Sequence, residues 1–370
     1  MNKTVSVGVV GSSWWADAMY MPAVSKHPNA VLTAVCGRNR QNAEAIAAKW
    51  NIPHVFTDYD AMLASGLIDA VLISTGNDTH YSMTLKALDA GLHVLCEKPL
   101  AMTYAEAVEM TARADASGKT CLVPFTYSFM PAARYLKRLV DEGYIGKPYH
   151  LNMRYYTAYA RDGRYMWRFD LAESGAGVVG DIGSHFMYLA QWYYGEIESV
   201  MCQFSYFVPR APRPDGSDYE KGDDSASILL QFKNGAQGVI VVSAVCYEDT
   251  PFGQTHHMEL HGSGGTLYYF NDWDTVQRVS GARAGEGMVK ELPIPDDLWG
   301  NARRDTVHNT YKDIFREQDN MARGWISAIL AGETHPRPTF AEATAVQRVM
   351  AACQLSAREN RRVFLSEITA

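Results

Sequence analysis

Two small groups of residues in this chain carry side chains able to move protons. The first is Glu97-Lys98-Pro99, an acid, a base and a proline that end an apolar run over residues 94–96. Proline has no N–H to give to a sheet ladder, so a strand stops there. In an open parallel sheet ligands bind off the carboxyl ends of the strands, and a lysine at such an end stands on the floor of a cleft. Partial desolvation weakens an ammonium's hold on its proton and suits it to acid–base work. The plain alternative is an exposed lysine ion-paired with Glu97. The second group is Asp181 and His185, four residues apart. On a helix that spacing sets both on one face, one turn apart. By itself the pair reads as a surface contact, as a buried histidine satisfied by its acid, or as a proton-handling pair.

These groups need a frame to hold them. The chain has 370 residues, 47% of them hydrophobic and 20% charged, with a formal net charge of −7. That is the composition of an ordinary globular protein of about two domains. No basic run marks a nucleic-acid surface, and no apolar run is long enough to span a bilayer, so neither partner is expected. Residues 1–11 hold one lysine and a short valine-rich run, which reads as a first strand rather than a leader. The six cysteines, Cys36, Cys96, Cys121, Cys202, Cys246 and Cys353, show no paired spacing. Neither a disulfide framework nor a thiolate metal site is expected, and a cytoplasmic protein is.

Residues 5–10 form an apolar strand that leads into Gly11-Ser12-Ser13-Trp14-Trp15-Ala16. This is the place of a dinucleotide-binding turn, G-x-G-x-x-G/A. Gly11 suits the tight turn and Ala16 the third position. Ser13 stands where a middle glycine lets the backbone approach the pyrophosphate, and its hydroxyl could donate to a phosphate oxygen instead. Trp14 and Trp15 are expected either under the following helix or beside the nicotinamide or substrate. Pro22 should break or kink that helix. A second apolar run, 31–36, ends in Gly37-Arg38-Asn39-Arg40. An acid at this strand end would hold the ribose 2′-hydroxyl of NAD, whereas an arginine holds the 2′-phosphate of NADP. With no acid and two arginines here, Arg38 assisted by Asn39 favours NADP over NAD.

Helices over 42–50, 59–64, 79–90 and 103–117 alternate with strands over 70–74, 94–96 and 121–124. Short turns between them, with Gly91 and Gly118 ending helices, argue a doubly wound parallel sheet. The second half reads differently. A helix over 135–142 precedes an alternating strand over 148–156. Runs over 227–232, 238–246 and 258–260 are strands of a mainly antiparallel sheet, and helices over 319–330 and 340–360 close the chain. Residues 161–170 are too dense in charge to be core. His257, Glu259 and His261 alternate along one strand and read as a half-exposed face or as a metal site. The 238–246 strand alternates little, so one face of its sheet is expected to meet a partner subunit, in a dimer or tetramer. The expected fold is α/β: a dinucleotide-binding Rossmann domain over 1–124, then an α+β domain over 125–370 for substrate binding and oligomerisation.

Thr75-Gly76-Asn77 with His80, the Glu97-Lys98-Pro99 turn, and Gly180-Asp181-Ile182-Gly183-Ser184-His185 together carry a resemblance. The chain resembles the glucose-fructose oxidoreductase, inositol dehydrogenase and rhizopine-catabolism family of pyridine-nucleotide oxidoreductases. The likeness runs over nearly the whole chain, with residues 224–235 and 258–267 looking like the family's sheet strands. It departs at Ser13 and Gly76, where the family has Gly and Pro, and at Ser128, where many members carry an arginine before Phe-x-Pro. The resemblance implies a hydride moved between a nicotinamide and a carbinol carbon of a sugar, cyclitol or related polyol, with no metal. Ser74, Thr75, Gly76, Asn77, His80, Glu97 and Lys98 then join Gly11, Ser13, Trp14, Trp15, Ala16, Arg38 and Asn39 as dinucleotide contacts. Lys98, Tyr127, Arg154, Trp167, Arg168, Asp181 and His185 are the implied substrate contacts. Lys98 would project into a cleft between domains, with Asp181 and His185 facing it. His185 would take the hydroxyl proton as hydride leaves, and Lys98 would donate to the same oxygen or carry the proton itself. Asp181 would orient the substrate and tune Lys98 or His185. Two other activities stand beside this one. Some relatives of the fold keep the cofactor bound and cleave glycosides by transient oxidation and elimination. A cofactor-binding sensor without turnover would need the nucleotide pocket but not Lys98, Asp181 and His185 together.

Overall fold

The computed structural model describes residues 4–370, so residues 1–3 of the expected first segment lie outside the described residues. The chain falls into two compact units. One runs to Pro124 and takes in Lys312–Thr344; the other is Phe125–Tyr311 with Ala345–Ala370. Nothing in the sequence signals the return of Lys312–Thr344 to the first unit.

The first unit is built on six strands: β1 (Val5–Val10), β2 (Ala30–Cys36), β3 (His54–Phe56), β4 (Ala70–Ile73), β5 (His93–Cys96) and β6 (Cys121–Leu122). They lie in the order β3-β2-β1-β4-β5-β6, every pair parallel. A sheet covered on both faces wants unbroken apolar strands, and all four residues of β4 are completely buried. Between β1 and β2 the chain makes a π-helical turn, Ala16–Tyr20, and then a short helix α1 (Met21–Ser25). Pro22 follows directly on the π turn within one continuous helical run, so the helix is irregular at the proline, as its missing N–H leads one to expect. The other crossings are α2 (Arg40–Trp50), α3 (Tyr59–Ala64), α4 (Asn77–Asp89) and α5 (Tyr104–Ser117). Local chemistry sets their ends. The side chains of Asn39 and Asp58 cap α2 and α3, and Thr103 with Glu106 forms a capping box on α5. Gly118, at φ +62°, closes α5. Helix α4 begins two residues before the expected start, because Gly76 serves as its N-cap.

The second unit carries nine strands: β7 (Pro148–Thr157), β8 (Ile197–Ser205), β9 (Ser225–Phe232), β10 (Gln237–Ser243), β11 (Gln254–Gly262), β12 (Gly265–Asn271), β13 (Arg278–Arg283), β14 (Lys290–Glu291) and β15 (Val363–Phe364). Their order is β14-β13-β12-β11-β7-β10-β9-β8-β15, antiparallel except for the pair β7–β10. Helix α6 (Pro131–Asp141) starts earlier than expected, with Pro131 in its first turn. A short α7 (Leu171–Ser174) is followed by a π-helical turn, Val179–Gly183, which runs straight into α8 (Ser184–Tyr194). Phe186 of α8 packs on Tyr155 and His256, so this helix covers one face of the sheet. The opposite face is open. Ile240 and Val242 of β10 are buried while Val239 and Val241 are half-exposed, and Met201, Leu229 and Phe270 stand exposed on neighbouring strands. No helix among the described residues is long and apolar enough to cross a membrane.

Candidate active site

In the first unit, sheet register brings three turns side by side. Gly11 N–H donates to the Cys36 carbonyl, Ser74 N–H to Val10 and Glu97 N–H to Ile73, at 3.0, 2.9 and 3.0 Å. The turns after β1, β4 and β5 therefore line the carboxyl ends of adjacent strands, at the point where strand order reverses. Gly11 has φ +97°, and a Cβ there would lie 2.1 Å from the Ser74 carbonyl oxygen. The tight turn thus needs glycine for its packing against the next strand. Ser13 Oγ accepts the Ala16 N–H at 3.2 Å and lies 3.3 Å from Ser74 Oγ, so its hydroxyl caps the helix start. Ala16 is buried.

The two tryptophans part company. Trp15 donates from Nε1 to Glu97 Oε1 at 2.8 Å, and the Tyr20 hydroxyl bonds the same oxygen. Glu97 Oε2 accepts the Lys98 N–H at 3.0 Å. The π turn and the Lys98 turn are thereby tied through one carboxylate, and Lys98 is half-buried. Trp14 projects outward, 71% exposed. His80 requires a correction. It is completely buried, and its Nδ1 lies 2.9 Å from the Pro99 carbonyl, so it supports the Lys98-Pro99 turn from beneath instead of lining the surface. Burial pulls its pKa down and keeps it neutral, with the Nδ1–H donating. Thr75 and Gly76 are half-exposed at the start of α4, where peptide N–H groups have no partner within the helix, and Asn77 is buried. Arg38 and Asn39 are exposed beyond β2, with Asn39 Oδ1 also accepting the Asn42 N–H at 3.0 Å. A glycine turn, helix N-termini and an arginine at these strand ends make a donor set that fits a dinucleotide's phosphates.

In the second unit, His185 lies in the first turn of α8 and is 6% exposed. Its ring packs 4.6 Å from that of Tyr127 and edge-on to Phe125 at 6.0 Å. The Tyr127 and Tyr155 hydroxyls are 2.9 Å apart, and the His256 ring packs edge-on to Tyr127 and tilted against Tyr155. Burial pushes both phenols well above their ordinary range and pulls His256 down to about 3, so all three are neutral. Asp181 stands in the π turn. Its carboxylate accepts the Tyr159 hydroxyl at 2.7 Å and Arg168 Nε at 3.3 Å, and that guanidinium lies over the Trp167 ring. The Asp181 charge is felt by Tyr127 and Tyr155 as well.

Tyr127, Trp167, Arg168, Asp181 and His185 are thus brought together. Asp181 and His185 do not share one regular α-helix, because the step between them crosses from a π turn into α8. Arg154 is not brought to this group. On β7 the buried residues are Leu151, Met153, Tyr155 and Thr157, and Arg154 lies on the other face, opposite Val241 and His257. Its guanidinium covers Tyr156, 4.7 Å from the ring centre. Sequence reasoning missed Tyr155, Tyr159 and His256, and also Trp273, whose ring lies edge-on to His256 at 5.7 Å. The alternation of β7 was the available signal for Tyr155. The arrangement offers neutral hydroxyls, an acid paired with an arginine and a shielded imidazole, which together can hold a hydroxylated ligand and accept a proton.

Two family models match the chain. One, the oxidoreductase family with an NAD-binding Rossmann fold, matches residues 5–125, and the other, the GFO/IDH/MocA C-terminal domain, matches residues 133–268. Among curated relatives, scyllo-inositol 2-dehydrogenase (NADP(+)) IolU of Bacillus subtilis is 27% identical over 306 residues, covering 79% of this chain and 83% of the relative. Levoglucosan dehydrogenase of Pseudarthrobacter phenanthrenivorans is 25% identical over 295 residues, covering 72% and 74%. Among solved structures, an oxidoreductase domain protein from Kribbella flavida superposes with a TM-score of 0.83 at 28% identity, covering 99% of this chain and 100% of that one.

Proposed function

The chain belongs to the GFO/IDH/MocA family of oxidoreductases with an NAD-binding Rossmann fold, and from that premise we propose that its substrate is a sugar, cyclitol or related polyol. The observation that carries this reading is the second unit's cluster, where an imidazole, a carboxylate and three tyrosine hydroxyls meet beside α8. Such a surface suits a ligand rich in hydroxyls. The names of two relatives, an inositol dehydrogenase and a levoglucosan dehydrogenase, support it.

A bound nicotinamide supplies the hydride acceptor or donor. The protein's share is binding, orientation and proton handling. Residues up to Pro124 hold the dinucleotide, through the Gly11–Ala16 turn, the start of α4 and the Glu97-Lys98 turn. The chain from Phe125 holds the substrate, through Tyr127, Trp167, Arg168 and Asp181. His185 takes the hydroxyl proton, and Lys98 steadies negative charge on the same substrate oxygen. Asp181, fixed by Tyr159 and Arg168, orients a substrate hydroxyl.

Arg38, exposed beyond β2 with no acid between residues 36 and 40, favours NADP through a charge-assisted bond to the 2′-phosphate. The open sheet face with Met201, Leu229, Val239 and Val241 meets a second copy of the chain, as dimer or tetramer. A monomer by light scattering at micromolar concentration removes that part of the reading. Location in the cytoplasm belongs to the same reading and rests on composition. The deciding experiment is a panel of polyols and sugars with NAD and NADP, followed by absorbance of the reduced nicotinamide. Reduction with at least one polyol is expected, faster with NADP; none with any member overturns the substrate class.

A further inference from the structure

Asp223 lies just before β9 and is 2% exposed. Its carboxylate accepts the N–H of Gly177 at 3.1 Å through Oδ1 and the N–H of Val179 at 3.0 Å through Oδ2. The peptide carbonyl of the same residue accepts the N–H of Val178 at 2.9 Å. Three consecutive backbone donors therefore converge on one residue. These belong to the residues leading into the π turn Val179–Gly183, where donors have no partner within the helix. The approach is too close for any side chain at position 177. A Cβ on Gly177 would lie 2.3 Å from Asp223 N and 2.4 Å from its carbonyl oxygen.

What this grip holds is the backbone that carries the proposed chemistry. The π turn passes into α8 without a break, and Ser184 Oγ donates to the Gly180 carbonyl at 2.7 Å across the junction. Asp181 follows two residues after Val179, and His185 six. Asp223 grips the backbone ahead of both residues. Its leverage on them runs through the phase of the turn, since a slip there rotates every later side chain. A buried carboxylate is costly unless its hydrogen bonds are made, so its use here asks for a reason. On its far side Asp224 is engaged with Arg210, which keeps that neighbour from competing for the same donors.

We propose that Asp223 is a positioning residue for the active site, setting the helical phase at which Asp181 and His185 are presented. This rests on the roles given to those two residues under the proposed function. The test uses Asp223→Asn and Asp223→Ala in the full chain, with Tyr165→Phe, which removes a hydroxyl that bonds Asp170 and Glu173 rather than Asp223, as control. Melting curves first establish the folded fraction. The turnover number of folded D223A should fall tenfold or more, D223N should recover part of that loss, and the dissociation constant for NADP should stay within about twofold. The imidazole nitrogen resonances of His185, observed in histidine-labelled protein, should move in D223N and stay in place in Y165F. That measurement needs no turnover, so it holds even if the polyol panel fails and the substrate reading falls. It also holds for D223N if D223A does not fold. Unmoved His185 resonances in D223N, or turnover of folded D223N and D223A within twofold of the native chain, overturns the proposal.

Discussion

The two π-helical turns, Ala16–Tyr20 in the first unit and Val179–Gly183 in the second, solve one problem in opposite ways. Each starts the stretch of helix that follows a glycine-containing turn, and each is held by an acid from far along the chain. Glu97 grips the first from outside, through the side chains of Trp15 and Tyr20, while half-exposed itself. Asp223 grips the second from inside, through backbone N–H groups alone, and is buried. A side-chain clamp leaves the backbone donors of its turn to local partners, Ala16 N–H to Ser13 Oγ and Asp17 N–H to the Ser13 carbonyl. A backbone clamp takes those donors itself and leaves the side chains of the turn free of the grip. The first arrangement ties the glycine turn to the Lys98 turn; the second suits presenting Asp181 and His185.

The sharpest way to break this contrast is to remove the two groups proposed to handle protons. His185→Ala and Lys98→Ala should each lower turnover by roughly a hundredfold or more, with cofactor affinity changed far less. The rate–pH profile should also flatten on the limb of the lost base. Near-native turnover and an unchanged profile in H185A would move the base to Lys98, and activity in both would end the mechanism.

The glycines come next. Gly177→Ala and Gly11→Ala each drive a methyl group into backbone, and each should cost roughly 1–3 kcal/mol of stability by urea unfolding, more at Gly11 with its positive φ. Their functional signatures should differ. G11A should raise the KM for the dinucleotide, whereas G177A should lower the turnover number at unchanged dinucleotide affinity. The same signature from both would erase the distinction between the turns.

Arg38→Ala should raise the KM for NADP about tenfold and leave NAD nearly unchanged, as expected for loss of one charge-assisted bond. Equal effects on both cofactors would remove the argument from Arg38.

The smallest expected effect is on the pH dependence of stability. Burial pushes the Asp223 carboxyl up to about 7 from an ordinary 3.8. Between those values the folded chain keeps a proton that the unfolded chain has released, so this group's contribution is full below about 3.8 and is lost as pH rises through about 7. Asp224, Tyr206 and Cys353 share its surroundings and are kept in D223N, where Tyr206 and Cys353 lose the upward push of the Asp223 charge. Unfolding free energies at pH 5 and pH 8 should therefore fall more in the native chain than in D223N. Parallel losses would mean that Asp223 is ionised throughout.

Much of the first unit was legible because its signals are local. Gly118 announces a helix end from its own place in the chain, and Pro99 announces the end of a strand. The tight turn after β1 follows from Gly11 in the same way. What stayed hidden depends on parity, depth or distance. Arg154 and Tyr155 are neighbours, and a single step along β7 sends them to opposite faces. His80 has a side chain suited to a ligand, but its depth is a product of packing and no neighbour in sequence reports it. Asp223 meets its donors across more than forty intervening residues, and nothing around it in the chain resembles a cap.

The return of Lys312–Thr344 to the first unit bears on how this protein can be taken apart. Strand β6 is the last of its sheet, and an uncovered sheet edge invites pairing with other chains. Here Cys121 and Val123 donate to the carbonyls of Thr334 and Pro338, and the fully buried Trp325 donates to that of Thr120. A fragment cut after Pro124 loses all of these partners and exposes a ready template for aggregation. The dinucleotide-binding half is therefore no cassette that can be lifted out in one piece. Any graft or exchange of it between relatives has to carry two separate stretches of sequence, or it will carry a sticky edge.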